Sequence, residues 1–396
     1  MNQAEKNLLS INGGSSSIKF ALYGMGETLQ CSLSGKIERI GLSGTRLSYK
    51  HVLNGQQGEQ FLDKLDHTSA VNFLLDWLAQ QPGFDQVVAV GHRVVHGMKY
   101  THPETVSPAL LDELHRISDY DPDHLPGEIE LIETFSRRYP ELTQVACFDT
   151  AFHVSMPRVA KLLPVPRRFD AMGVQRYGFH GLSYAYLMQE LTRLDEPSAN
   201  QGRVILAHLG NGASLVAVRD GRSIDTSMGF TPSSGVPMGT RSGDLDPGVA
   251  WYMMQSEQLS PDQFKHLINH QSGLLGVSET SSDMRDLTHH ESDDERAAEA
   301  VELFCYQVKK YIGAYAAVLN GLDILVFTGG IGEHHGGVRA RICENLEYLG
   351  ITLDKQCNEQ NAGVISAQGS RVWVRVIATD EELMIAESVR DILERE

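Results

Sequence analysis

The chain has 396 residues, 41% of them hydrophobic and 21% charged, and carries a formal net charge of −17 at pH 7. That length exceeds what one hydrophobic core supports and predicts two domains of about 200 residues each. The acidic balance excludes nucleic acid and an anionic membrane as expected partners, since either calls for a cationic face.

No apolar run approaches the roughly 18 residues that span a bilayer, and the start MNQAEKNLLSING lacks a signal-peptide core. The five cysteines, Cys31, Cys147, Cys305, Cys343 and Cys357, form no C-x-x-C pair. The expectation is a cytoplasmic protein with reduced thiols, no disulfide framework and no thiolate zinc site.

In chain order, Leu8 to Tyr23 reads as a strand, a glycine turn and a return strand. Gly24 to Gly58, with Leu47-Ser48-Tyr49, reads as further strands and turns. Val71, Leu74, Leu75 and Leu78 have helical spacing within Thr68 to Gln80. Val87 to Val90 is a buried strand running into GHRVVHG. Ser107-Pro108 opens a helix with a cap and a proline, burying Leu110, Leu111, Leu114 and Ile117. A second helix carries Ile129, Ile132 and Phe135. Strand Gln144 to Phe148 delivers Asp149 at its C-terminal end, where open α/β sheets bind ligands.

The polar stretch Leu191 to Arg203 is the most linker-like. Val204 to Gly229 then repeats the opening pattern: an apolar strand, the turn Gly210-Asn211-Gly212-Ala213-Ser214 and a return strand Leu215 to Val218. Sliding one hairpin onto the other puts Gly13 on Gly210 and Ser17 on Ser214, close to half the chain length apart. Glycine turns let backbone N–H groups approach an anion, and two of them suit the phosphates of a nucleotide held between duplicated domains. Taken singly, each is also an ordinary hairpin turn. Asp294 to Asn320 forms a long helix ended by Gly321. Strand Ile324 to Phe327 enters the glycine turn TGGIGEHHGG, and strand Val372 to Ile377 gives way to a last helix opened by a Thr379-x-x-Glu382 capping box.

Asp149 reads either as a cap or as an acid that organises phosphoryl transfer. Arg93 and Arg241 stand in glycine-flanked loops, where a guanidinium fork fits a carboxylate or phosphate. His180 in YGFHGLS is structural or bonds a transferring phosphoryl oxygen. Neither a G-x-x-x-x-G-K-[ST] motif nor a G-x-G-x-x-G after a strand is present, so a P-loop and a Rossmann fold are excluded.

The segments INGGSSSIKF, GHRVVHG, FDTAFHVSMP, RYGFHG, HLGNGASL, DTSMGFTP, MGTRSGDLDPG, SSDMRD, FTGGIGE and DEELMIA together resemble the acetate kinase family, in order and over nearly the whole chain. The resemblance implies a duplicated α/β fold of the actin and sugar-kinase type, ribonuclease H-like, with a nucleotide cleft between domains. Its domains would be 1–150, with a C-terminal helix 382–396 packing back, and 151–381.

The resemblance further implies reversible, ATP-dependent phosphorylation of acetate to acetyl phosphate with Mg2+, or Mn2+, in a homodimer. Asn12 and Glu381 would hold the metal. Lys19, His208, Leu209, Gly210, Asn211, Gly212, Asp283, Met284, Arg285, Gly330, Ile331, Gly332, Glu333 and His334 would contact ATP or ADP. Asp149, His180, Arg241 and Arg93 would be catalytic, and Arg93, Val95, Asp123, Phe179 and Pro232 would hold the short-chain carboxylate. Alternatives are a kinase for propionate or a more polar acid, and a nucleotide-dependent binding protein or ATPase on the same fold.

Several positions depart from the family. Asp123 replaces a leucine of the usual P-L-H-N-P in the acyl pocket, Leu182 and Tyr184 fall in the usual G-T-S-H, and Ser233-Ser234 replace L-E. Asp380 and His334 each replace an asparagine.

Overall fold

The computed structural model describes residues 6–14, 16–194 and 201–395. It divides into two compact units. Unit 1 takes the chain through Ala151 and again from Asp380 onward, and unit 2 is Phe152–Thr379. Part of the linker-like stretch, 195–200, lies outside the described residues.

Unit 1 is built on an eight-stranded sheet of β1 (Asn7–Gly13), β2 (Ser17–Met25), β3 (Leu29–Glu38), β4 (Arg46–His51), β5 (Gln57–Phe61), β6 (Val87–Val94), β7 (Glu104–Thr105) and β8 (Thr143–Phe148). Its order is β5-β4-β3-β2-β1-β6-β8-β7. Unit 2 holds β9 (Arg203–Leu209), β10 (Ala213–Arg219), β11 (Arg222–Thr226), β12 (Ile324–Thr328) and β13 (Trp373–Val376), ordered β11-β10-β9-β12-β13.

The duplication is visible in the pairing. In unit 1, β1, β6 and β8 are parallel while β2 is antiparallel to both β1 and β3. In unit 2, β9, β12 and β13 are parallel while β10 is antiparallel to β9 and β11. The five strands β3-β2-β1-β6-β8 thus correspond to β11-β10-β9-β12-β13. The two hairpin turns are not identical, however. The first ladder closes at Gly13 and Ile18 and the second at Leu209 and Ala213, so the first turn is one residue longer than the sequence overlay requires.

Helices form where the apolar spacing places them. His67–Leu78 starts at Asp66, whose side chain accepts from the Ser69 amide, and buries Val71, Leu74, Leu75 and Leu78 against the unit 1 sheet. Glu295–Leu319 is capped by Asp294 and buries Val301, Phe304, Val308, Ile312, Tyr315 and Leu319. It ends at Asn320, in the left-handed region at φ 60°, one residue before the glycine expected to stop it.

Two further local expectations are corrected. The glycine turn expected between β12 and a following helix is compressed to Gly329, at φ 77°, where the Gly329–His334 helix begins directly after Thr328. The last helix, Glu381–Leu393, is capped by Asp380, whose side chain accepts from the Leu383 amide at 2.9 Å, and not by Thr379. That helix packs on β1, β2 and β6 of unit 1. Gly91 on β6 makes the fit possible, since a Cβ there would lie 2.4 Å from Ile385 and 2.6 Å from Val389. Among the described residues no helix is long and apolar enough to cross a membrane.

Candidate active site

In unit 1 the parallel strands β1, β6 and β8 end side by side. Arg93 lies beside Cys147 in the β6/β8 register, and Asp149 follows the last residue of β8. The Arg93 Nε and Nη2 donate to Asp149 Oδ2 at 3.1 and 2.7 Å. Its Nη1 donates to Gly13 O at 3.2 Å and to Glu128 Oε1 at 3.0 Å. Among the described residues four of the five N–H groups are therefore engaged, and one Nη2 N–H has no partner there. A two-pronged fork on a substrate carboxylate would require Arg93 to release Asp149.

Asp149 and Glu128 are almost wholly buried and the Arg93 side chain is 13% exposed. Burial works against the Arg93 charge, but Asp149, Glu128 and Glu381 outweigh it and hold the guanidinium protonated. One Asp149 oxygen accepts both the Nε and the Nη2 bond from Arg93.

Glu128 escaped the sequence reading. It lies in the first turn of the Leu125–Arg138 helix, where an acid reads as a complement to the helix dipole. Instead it points inward, with Oε2 accepting from the Val95 amide at 2.8 Å. Val95 is buried, while Asp123 is half-buried in the turn before the same helix. In that turn His124 Nδ1 lies 2.9 Å from Asp121 Oδ1.

At the end of β1, the Asn12 amide nitrogen donates to Glu381 Oε2 at 2.9 Å and Glu382 Oε1 at 3.2 Å. Burial raises the Glu382 carboxyl above the usual range, opposed by Lys19 and assisted by Glu381. The Lys19 ammonium is 4.0 Å from Glu382 and half exposed. Among the described residues no three His, Cys, Asp or Glu side chains converge as a metal site by themselves. Asn12, Glu381 and Glu382 offer hard oxygen donors, a set that fits Mg2+ or Mn2+ when substrate phosphates complete the shell.

In unit 2 the β9/β10 turn is tight, with Gly210 N donating to Gly212 O at 3.0 Å, and the Gly239 amide donates to Asn211 O at 3.0 Å. Asn211 is exposed at the tip. Gly329 packs on the end of β9 at φ 77°, and a Cβ there would meet Leu209 O at 2.7 Å. This brings the Gly330 amide within 3.9 Å of the Cβ position at Gly210.

His180, at φ 58°, opens the Gly181–Arg193 helix. Its Nδ1 lies 2.8 Å from Ser214 Oγ, which Tyr184 OH also contacts. The other edge, Nε2, faces Gly212, 3.5 Å from the Cβ position there, and Arg241 Nη1 lies 4.0 Å from the same point. Arg241 is held by a bond from Nη1 to Pro232 O at 3.2 Å. The ring of His180 stacks on His208 at 4.2 Å, and His208 Nδ1 is 2.9 Å from Ser183 Oγ. His180, Arg241, His208, Asn211 and Gly212 thus converge on one turn. Ser183, Tyr184 and Ser214, absent from the expected set, align the histidines. Tyr184, a departure from the family, supplies a hydroxyl to that alignment.

Other expected contacts are engaged internally. Asp283 caps the Met284–His290 helix and binds Arg285 Nη2 at 2.5 Å, leaving the Arg285 side chain 83% exposed. Met284, Phe179 and Pro232 have buried side chains. Glu333 Oε1 accepts from Gly329 N at 2.9 Å, capping its own helix, and His334 is exposed. Ile331 is half-buried and Gly332 buried, while Gly330 is exposed with open space where a Cβ would stand.

The sequence pattern of the Acetokinase family matches residues 7–387. The chain is 43% identical over 394 residues to an acetate kinase of Rhodopseudomonas palustris strain TIE-1, covering 96% of this chain and 97% of that one. It is 42% identical over 392 residues to a propionate kinase of Citrobacter rodentium, covering 97% and 96%. The crystal structure of Porphyromonas gingivalis acetate kinase superposes with a TM-score of 0.86 at 38% identity, covering 98% of this chain and 100% of that one. With paired strand ends in two like-built sheets and agreement over nearly the full length, the chain belongs to the acetokinase family, phosphotransferases on the duplicated actin and sugar-kinase fold.

Proposed function

We propose that the chain transfers the γ-phosphoryl group of ATP to acetate, reversibly, giving acetyl phosphate. The observation that carries this beyond family membership is the buried Arg93–Asp149 pair at the C-terminal ends of β6 and β8, a guanidinium held in a fixed plane with one N–H unpartnered among the described residues. A carboxylate is already a nucleophile, so positioning and charge neutralisation supply the rate.

In this reading Arg93 orients the carboxylate, and Asp149 fixes the plane of Arg93. The turn at Asn211 and Gly212 receives phosphate oxygens on backbone N–H groups, while His180 Nε2 and Arg241 offset charge on the phosphoryl group in flight. Gly330 admits the nucleoside end. A divalent ion, when bound at Asn12 and Glu381 with help from Glu382, neutralises phosphate charge. Lys19, already near Glu382, would reach the same oxygens only by leaving it.

A more polar acid in place of acetate is the second reading, motivated by Asp123, a half-buried carboxylate at the position where the family carries a leucine. Propionate stays open on the likeness to propionate kinases. The proposed setting is cytoplasmic and homodimeric. The Pro247–Ser256 helix buries none of its residues within the chain and exposes Trp251 and Tyr252, a face that a second copy would cover.

The test is hydroxamate formation from Mg-ATP, hydroxylamine and a panel of acetate, propionate, butyrate, glycolate and lactate, with ADP followed in parallel. Hydroxamate with acetate supports the reading. ADP without hydroxamate for any acid refutes it in favour of an ATPase.

A further inference from the structure

We infer that Glu128 is a positioning residue for Arg93 and that its ionisation sets how well the site accepts an anionic acid. The inference rests on the carboxylate-kinase reading. Its basis is geometric: one buried carboxyl bridges Arg93 Nη1 at 3.0 Å and the Val95 amide at 2.8 Å. It therefore ties together two residues two apart at the end of β6, one expected to grip the acid's carboxylate and the other its acyl group. The same helix follows the turn bearing Asp123, so Glu128 joins that turn to the arginine.

The charge balance gives this contact a function. Arg93 is flanked by two carboxyl groups, Asp149 and Glu128. With both ionised the cluster is net negative and opposes an incoming anion. With Glu128 protonated it is neutral, and Nη1 is held less tightly. Both Glu128 oxygens face N–H donors, which favours the carboxylate. Burial opposes it first, and the charges that face it are Arg93 from β6, Asp149 after β8 and Asp121 from the turn before its own helix. The balance places its titration at about 8. Glu381, on the last helix, acts on the same arginine.

The experiment measures KM for the acid and kcat between pH 7 and 9.5 on the full chain, with wild type, Glu128→Gln and Glu128→Ala. Acetate is fully ionised throughout. For wild type, KM for the acid is expected to rise up to about tenfold between pH 7 and 9, the limit set by one proton, with kcat moving less. Glutamine mimics the protonated acid, so its KM profile should lose that rise. Alanine leaves Val95 N and Arg93 Nη1 without their partner, and its KM should be raised at least about tenfold at every pH.

A flat wild-type KM, or a glutamine variant that keeps the rise, overturns the inference. If wild type makes no hydroxamate with any acid, the kinase reading fails instead. The protonation is then read from melting temperatures. A carboxyl raised in the fold stabilises below its unfolded value and loses that contribution as pH rises through about 8. The gap between Glu128→Gln and wild type should widen from pH 6 to 9, and a constant gap overturns the inference.

Discussion

Asp149→Asn isolates charge from shape. The asparagine fits the same buried position and keeps one acceptor oxygen for the Arg93 Nε and Nη2 groups, now 3.1 and 2.7 Å from Asp149 Oδ2. Charge-assisted hydrogen bonds are worth about 1.5 to 3 kcal/mol and neutral ones about 1, so weakening two of them gives a gross loss of about 1 to 4 kcal/mol. Part is recovered next door. Glu128 is held up to about 8 mainly by burial, with Asp149 among the charges that add to it. Removing Asp149's charge takes away one of the smaller contributions against the Glu128 carboxylate and so shifts Glu128 toward serving as the counter-ion of Arg93. The fold should thus lose only about 1 kcal/mol, or about 2 to 4 °C in melting temperature. Turnover depends on the direction in which Arg93 points, which Glu128 cannot restore from the opposite side, and should fall at least about 10²-fold. The assay pairs hydroxamate kinetics at saturating acid with thermal melts. Turnover within threefold of wild type would return Asp149 to a purely structural ion pair. A variant that fails to fold would refute the compensation by Glu128.

Arg93→Ala and Arg241→Ala should each reduce turnover by roughly 10³ or more if they meet the phosphoryl group, as arginine fingers do, and near-normal turnover would remove that role. Tyr184→Phe removes the hydroxyl that meets Ser214 Oγ and so loosens His180; kcat should drop about 3- to 10-fold with the fold retained, and an unchanged kcat would sever Tyr184 from the site. Burial pushes His153 down to about 4, its ring held by Ser223 Oγ and Phe179 O at 3.0 Å each. A base depressed in the fold contributes stability that is full above its unfolded value near 6.5 and is lost as pH falls toward about 4. The melting temperature should decline over that window, and His153→Gln should flatten the decline; identical slopes would refute the assignment.

Much of this was legible in the sequence because hydrophobic spacing is local. The stripe from Val301 to Leu319, the cap at Ser107 and the two glycine hairpins follow from neighbours a few residues apart. Asp149 was also legible, as an acid at the end of an apolar run. Arg93 was legible as a guanidinium between glycines, but the loop expected around it is the end of strand β6, which runs on through Val94 because its partner β8 continues to Phe148. Glu128 was not, because the groups it meets are 35 and 33 residues away in the chain and its own neighbourhood reads as an ordinary helix start. Tyr184 was legible only as a departure from the family, since nothing near it in the chain shows that its hydroxyl meets Ser214. The hairpin overlay failed by one residue because similar turn composition does not fix loop length. Thr379 and Asp380 both satisfy a capping pattern, and only the bond to the Leu383 amide chooses between them.

The last helix carries a consequence for how the molecule comes into being. Unit 1 needs Ile385 and Val389 to fill the notch at Gly91, yet these residues leave the ribosome only after all of unit 2. The amino-terminal sheet must wait with β6 uncovered while the later unit, continuous in the chain, completes its own core. The first unit begun is thus the last that can be completed, and a stall or cut before Glu381 would leave its β6 face uncovered.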